Sequence, residues 1–200
     1  MVLTNRSAEA PAVGLRERKK AETRARLQHE ALRLFLDRGY EATTVAEIAE
    51  AAGVSTMTFY RYFASKDDVV LTDDYDPMLA ELVRSRPRSE PPLARIRYAI
   101  TAGFATIPDS ERAVLAERVR LILDTPALRS RMWDQQSLGR DVFAAALVDS
   151  GVGEFRAQVV ATAATAVMVA GVIAWAESGG TEDLARMVSR SLRALGREKG

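Results

Sequence analysis

Residues 53–66 read GVSTMTFYRYFASK and gather rings, hydroxyls and positive charge into one helix-sized window. Ser55, Thr56 and Thr58 carry short hydroxyls that can reach base edges or phosphate oxygens of a nucleic acid. Tyr60, Arg61 and Lys66 carry longer donors suited to phosphate, contacts that hold a reading helix in register without conveying base sequence. Met57 donates no hydrogen bond but can pack on a thymine methyl group. Thr44 opens the preceding helical segment, where backbone amides and a hydroxyl together suit a phosphate. Phe59 and Phe63 match the buried side of so short a helix, while Tyr62 can face either way.

These groups need rigid elements behind them. A first helix is expected from about Leu15 to Arg38, with Leu27, Ala31, Leu34 and Phe35 on one apolar face and Gly39 as its stop. The run TTVAEIAEAAG starts a second, short helix, because Thr44 followed by Glu47 three residues on is a capping box. A third helix spans Ser55 to about Tyr62. Ala49, small where two helices cross, Gly53 at the turn, and the apolar Ile48, Val54 and Phe59 have the spacing of a helix-turn-helix. Glycine suits that turn because a left-handed backbone costs little without a Cβ. Such a unit projects its second helix into the major groove. Ser65 with Asp67 and Asp68 then reads as the capped start of a helix expected to run to about Arg84.

The full run from Gly39 to Lys66, GYEATTVAEIAEAAGVSTMTFYRYFASK, resembles the TetR family of transcriptional regulators over roughly residues 18–70. The resemblance rests on the TTV-x-x-IA-x-x-AGVS segment, the FYRYF cluster, and the SK before an acidic pair. It implies a three-helix DNA-binding domain followed by a larger domain for effector binding and dimerisation, and usually a repressor. By position, the residues that match the family's DNA contacts are Thr23, Thr44, Ser55, Thr56, Met57, Thr58, Tyr60, Arg61 and Lys66. Many relatives have Lys or Gly where this chain has Thr56 and Met57, so an operator sequence does not transfer.

Charge agrees with a polyanion at one end of the chain only. Residues 16–26 hold six basic side chains against two acidic, whereas residues 67–83 hold six acidic and none basic. Either run alone also reads as a solvated helix face. The net charge of +1 is modest for a nucleic-acid binder. The absence of cysteine excludes disulfides and thiolate metal sites and fits a cytoplasmic location. Residues 1–14 lack the apolar core of a signal peptide and read as a flexible tail.

Beyond the proline-rich stretch 85–92, helices are expected at about 92–107, 109–124, 126–150, 154–178 and 181–197, separated by Pro and Gly signals. Residues 157–176 are uncharged for 20 positions, long enough for a membrane span. Gln158, Thr162 and Thr165, the dominance of alanine and the lack of Leu or Phe favour a buried or dimer-interface helix instead. There Thr162, Ala166, Ala170 and Ala174 form a stripe of small side chains, open to close approach by another helix. The segment AERVRLILDTPALRSRMW and the later Ala174-Trp175 resemble the C-terminal domain of regulators associated with mycofactocin gene clusters, which implies an acyl-CoA-like effector. Phe104, Leu121, Ile122, Met132, Trp133, Phe143, Met168 and Trp175 can wall a ligand cavity; an ordinary bundle core accounts for most of them better. Gln136, Arg118 and Arg120 can orient a ligand or lie on solvated faces.

Catalysis finds no support. The sole histidine, His29, has no partner at metal-ligand spacing, and no nucleophile elbow or phosphate-cradling glycine loop is present. Asp73, Asp74 and Asp76 lack the spacing of a calcium loop. The expectation is therefore an all-α protein with no cofactor and no metal, not an enzyme. It divides into a tail (1–14), a helix-turn-helix DNA-binding domain (15–64) and a helical bundle for effector binding and dimerisation (65–200). Its partners are a double-stranded, palindromic operator, a small apolar or amphipathic effector, and a second copy met through the last two helices, with no membrane. The alternatives are a helical membrane-associated or protein-interaction module, and an activator without ligand control.

Overall fold

The computed structural model describes residues 14–72 and 76–195, with the side chains of 76, 77 and 133–135 left aside. The described residues form ten helices and no strand. They divide into two compact units, one ending at Val69 and the other starting at Val70.

The first unit holds α1 (Leu15–Arg38), α2 (Val45–Ala51) and α3 (Thr56–Tyr62). α1 buries Leu27, Ala31, Leu34 and Phe35 on the expected stripe. It ends where Gly39 turns to a φ of 88° and returns its N–H to the Phe35 carbonyl. Both halves of the capping box form at α2, with the Thr44 side chain accepting from the Glu47 amide and Glu47 accepting from Thr44. Between α2 and α3, Gly53 takes a φ of 65°, and the Val54 amide reaches back to the Ala49 carbonyl. Ile48, Ala49, Phe59 and Phe63 close the small core.

The stretch expected as one helix from Ser65 to Arg84 is instead two, α4 (Asp68–Leu71) and α5 (Asp76–Arg84). Pro77 explains the break. A proline inside a continuous helix has no N–H to give and crowds the preceding turn, but it is at home in the first turn of a new one. Asp73 and Asp74 lie outside the described residues, as does the side chain of Asp76.

The second unit adds α6 (Pro92–Ala105), α7 (Asp109–Asp124), α8 (Pro126–Asp149), α9 (Glu154–Glu177) and α10 (Leu184–Ala194). Starts follow local chemistry: prolines open α6 and α8, and Asp183 caps α10 by accepting from the Arg186 amide. That cap shortens the last helix from the expected start at 181. α9 packs against α6, α7, α8 and α10. Gly171 seats α10, because a Cβ there would lie 3.1 Å from Ser191 Oγ and 3.4 Å from the Val188 backbone. By length and composition α9 is apolar enough to cross a membrane, yet four helices of its own unit cover part of it.

Candidate nucleic-acid interface

α3 is two-faced. Phe59 is fully buried beneath it, while Thr56, Met57 (80% exposed), Tyr60 (55% exposed) and Arg61 form one open row. Four positions at i, i+1, i+4 and i+5 share a helix face, so the row is the surface such a helix can lay in a groove. Met57 stands out because so large an apolar side chain has nothing of its own unit to cover it.

Ser55 and Thr58 sit differently. Ser55 Oγ accepts from the Thr58 amide at 3.1 Å and shares a hydrogen bond with the Thr58 hydroxyl at 3.0 Å. Both hydroxyls therefore hold the N-terminus of α3 first, with lone pairs and one proton left for a partner. Thr44 is engaged in the same way at α2, its hydroxyl donating to Glu47 Oε2 at 2.8 Å. Those hydrogen bonds from the Thr44 amide and hydroxyl hold the Glu47 carboxyl below its usual range, with Arg38 adding a favourable charge. Arg38 itself, 3.3 Å from Glu47 and well exposed, places a cation beside the α2 start that the sequence did not single out. Thr23 lies half-buried on α1 and donates to the Lys19 carbonyl at 2.8 Å.

Lys66 turns inward. Its Nζ donates to the carbonyls of Tyr40 at 2.7 Å and Thr43 at 3.2 Å, and lies 4.0 Å from the centre of the Tyr40 ring. Two of its three protons thus clamp the turn that leads into Thr44. The Tyr40 hydroxyl meets Asp67 on the other side. Arg24 is a second support missed in the sequence: its guanidinium covers the Phe63 ring at 4.5 Å and Nη1 donates to the Tyr62 carbonyl at 3.2 Å. It caps the end of α3 from 38 residues away. Tyr62 is half-buried, with Arg61 5.5 Å from its ring.

Comparison with known proteins matches this geometry. Residues 27–72 match the bacterial regulatory proteins of the tetR family, and residues 90–199 match the MftR C-terminal domain. The chain belongs to the TetR family. It is 42% identical over 122 residues to the HTH-type transcriptional regulator TcmR of Streptomyces glaucescens, covering 58% of this chain and 54% of that one. It is 30% identical over 130 residues to MftR of Mycobacterium tuberculosis, described as a mycofactocin biosynthesis transcriptional regulator, covering 64% and 65%. The chain thus spans about half to two-thirds of the length of these curated relatives. A crystal structure of Thermus thermophilus FadR shares the fold at a TM-score of 0.51 and 22% identity, over 86% of this chain and 92% of that one. TetR-family proteins are transcriptional regulators and not enzymes, in line with the residues.

In this TetR-family chain the candidate effector residues fall into three groups. Phe143 and Trp175 belong to the buried core, and the Trp175 indole N–H is satisfied by the Glu182 carbonyl at 2.8 Å. Ile122 is buried as well, and Phe104 and Met168 pack partly buried against the core. Leu121 and Met132 are half-buried, as is Gln136, whose Nε2 has no hydrogen-bond partner. The side chain of Trp133 lies outside the described residues. Neither arginine sits on a solvated face. Arg120 donates through Nε and Nη2 to the Ala176 carbonyl near the end of α9, a favourable place for a cation. Arg118 Nε donates to the Val70 carbonyl at 2.6 Å.

Proposed function

We propose that this protein is a homodimeric TetR-type repressor that binds a near-palindromic operator and is released by a small apolar or amphipathic effector. The observation that carries the reading is the open row Thr56, Met57, Tyr60 and Arg61 over the buried Phe59. In this reading Thr56 and Met57 meet base edges, and Tyr60 and Arg61 meet phosphates together with Thr23, Thr44, Ser55, Thr58 and Lys66. The division of the fold after Val69 supports an N-terminal DNA-binding domain over 15–64 and a bundle for effector and partner over 65–200. Because operator DNA is its target, the protein works in the cytoplasm.

A second copy is the natural cover for α9. Thr162, Ala166, Ala170 and Ala174 are all exposed along it, continued by Phe155 at 84% exposure and Val159. A contiguous apolar strip of this kind on a soluble chain marks an association surface, and small side chains allow helix axes to approach closely. α10, packed beside α9, extends the same interface. A two-fold dimer carries two recognition helices and so reads two inverted half-sites.

The FadR of Thermus thermophilus is described as a repressor in complex with lauroyl-CoA. That ligand, with the MftR-type C-terminal domain, supports an apolar effector for this chain, held by residues such as Phe104, Leu121, Met132, Gln136 and Met168. The deciding experiment is selection of bound genomic fragments followed by sequencing. An enriched inverted repeat is expected. Binding without sequence enrichment would sink the proposal, and a stable monomer by light scattering at micromolar concentration would remove its dimer.

A further inference from the structure

Three polar groups in the second unit are buried with no hydrogen-bond partner: the hydroxyls of Thr101 on α6 and Thr165 on α9, and Nε2 of Gln136 on α8. Thr165 is only 4% exposed. A buried polar group left unpaired is costly and calls for an explanation. The two threonines had an easy alternative. A helical threonine can turn its hydroxyl onto the carbonyl four residues back, as Thr23 does to Lys19 and Thr162 to Gln158, both at 2.8 Å. Thr101 and Thr165 do not take it.

The three groups also share one depth of the bundle. Arg95 donates to Ser150, which ties the first turn of α6 to the end of α8, and α9 starts at Glu154 just beyond. Counting from that base at the helical rise of 1.5 Å, Thr101, Thr165 and Gln136 stand about 9, 16 and 21 Å up. They fall within a band about 12 Å deep, the length of a small organic molecule. The helices there contribute Ile100, Phe143, Ala161 and Ala164 to the apolar core, with Phe104 and Met168 packed against it. So the band offers an apolar wall with two hydroxyls and one amide N–H.

Taking this bundle as the effector-binding part, as proposed above, we infer that its effector is an apolar molecule with carbonyl or hydroxyl oxygens along its buried body. A saturated acyl chain is the wrong complement. It would bury all three groups without giving any of them a partner, whereas an oxygenated body would accept from Gln136 and exchange hydrogen bonds with Thr101 and Thr165.

The test uses the full chain, two matched probes and two isosteric variants. Menadione carries two ring carbonyls that 2-methylnaphthalene lacks, and the chain has no cysteine for the quinone to alkylate. Calorimetric titration is expected to give the quinone about tenfold tighter binding than the hydrocarbon, as one or two net hydrogen bonds allow. In Thr165→Val or Thr101→Val that preference is expected to shrink by about fivefold. The melting temperature of the ligand-free variants should stay level or rise, since each loses an unpaired hydroxyl. Equal affinity for the two probes, including no binding of either, overturns the inference. So does an unchanged preference in both variants, or a fall in their ligand-free melting temperature. Lauroyl-CoA bound alike by all three proteins, with no preference for the quinone, overturns it too while leaving the effector reading in place. That reading fails separately if every probe that binds leaves the operator complex intact.

Discussion

Lys66 Nζ lies 2.7 Å from the Tyr40 carbonyl oxygen and 4.0 Å from the centre of the Tyr40 ring, so one cation both caps a turn and covers an aromatic face. The Thr43 carbonyl takes a second proton. The side chain that sequence spacing assigns to phosphate is thus built into the support of α2, with one proton left for DNA.

Lys66→Ala is therefore expected to lower fold stability by roughly 1–3 kcal/mol, the range for charge-assisted hydrogen bonds and the acceptors they leave behind. It should weaken binding to all DNA sequences alike. Where the ammonium also meets a phosphate, its removal should reduce the salt slope by about 1. Thermal melts with salt titrations separate the roles: an unchanged melt with a reduced slope would make Lys66 a pure phosphate ligand.

Thr56→Ala and Met57→Ala should do the reverse. Both side chains are exposed on the open face of α3, so stability should move by less than about 0.5 kcal/mol. Base preference should relax at particular positions of the operator, by about 1–3 kcal/mol for each specific base interaction removed. Repeating the fragment selection on each variant would reveal it. An identical enriched motif would remove these residues from base reading.

The capping box sets a pH dependence. Hydrogen bonds from Thr44 hold the Glu47 carboxyl below its ordinary value of 4.5 in the folded protein. A depressed folded-state pKa contributes stability that is present above 4.5 and is lost as pH falls through the lower, folded value. Glu47→Gln keeps the cap geometry without the ionisation, so its melting temperature should fall less between pH 7 and pH 3 than that of the wild type. Parallel melting curves across that range would remove Glu47 from the acid response.

Coupling between effector and operator is expected to pass through α4 and α5. The chain passes from the first unit to the second within α4, where Arg118 of α7 grips the Val70 carbonyl at 2.6 Å. Leu79 and Leu82 of α5 pack against the core of the bundle, and Met78 is partly exposed. Arg118→Ala, Met78→Ala and Leu82→Ala should each leave operator affinity without effector nearly intact and blunt release by effector. The wild-type coupling to be lost is roughly 1–3 kcal/mol, 5- to 150-fold in affinity. Operator titrations with and without effector measure it, and full release in all three variants would move the coupling elsewhere.

What the sequence by itself determined is what local chemistry decides. The stops at Gly39 and Gly53, the Thr44–Glu47 box and the starts at Pro92 and Pro126 act within three or four residues of themselves, so a linear reading finds them. The buried stripe of α1 and the two-faced α3 followed from helical periodicity for the same reason. Pro77 was equally local, and its break between α4 and α5 was legible in principle. The tertiary structure decided everything that depends on distant partners. Lys66 finds its acceptors 26 and 23 positions back, and Arg120 finds Ala176 56 positions ahead. In α9 the apolar side chains run all round the helix, so periodicity assigns them no direction. Only the packing of α6, α7, α8 and α10 around it leaves Ala166, Ala170 and Ala174 open and puts Ala161, Ala164 and Thr165 inside. A hydrogen bond between neighbours in sequence is encoded by spacing; one between residues that only folding brings together has no spacing to read.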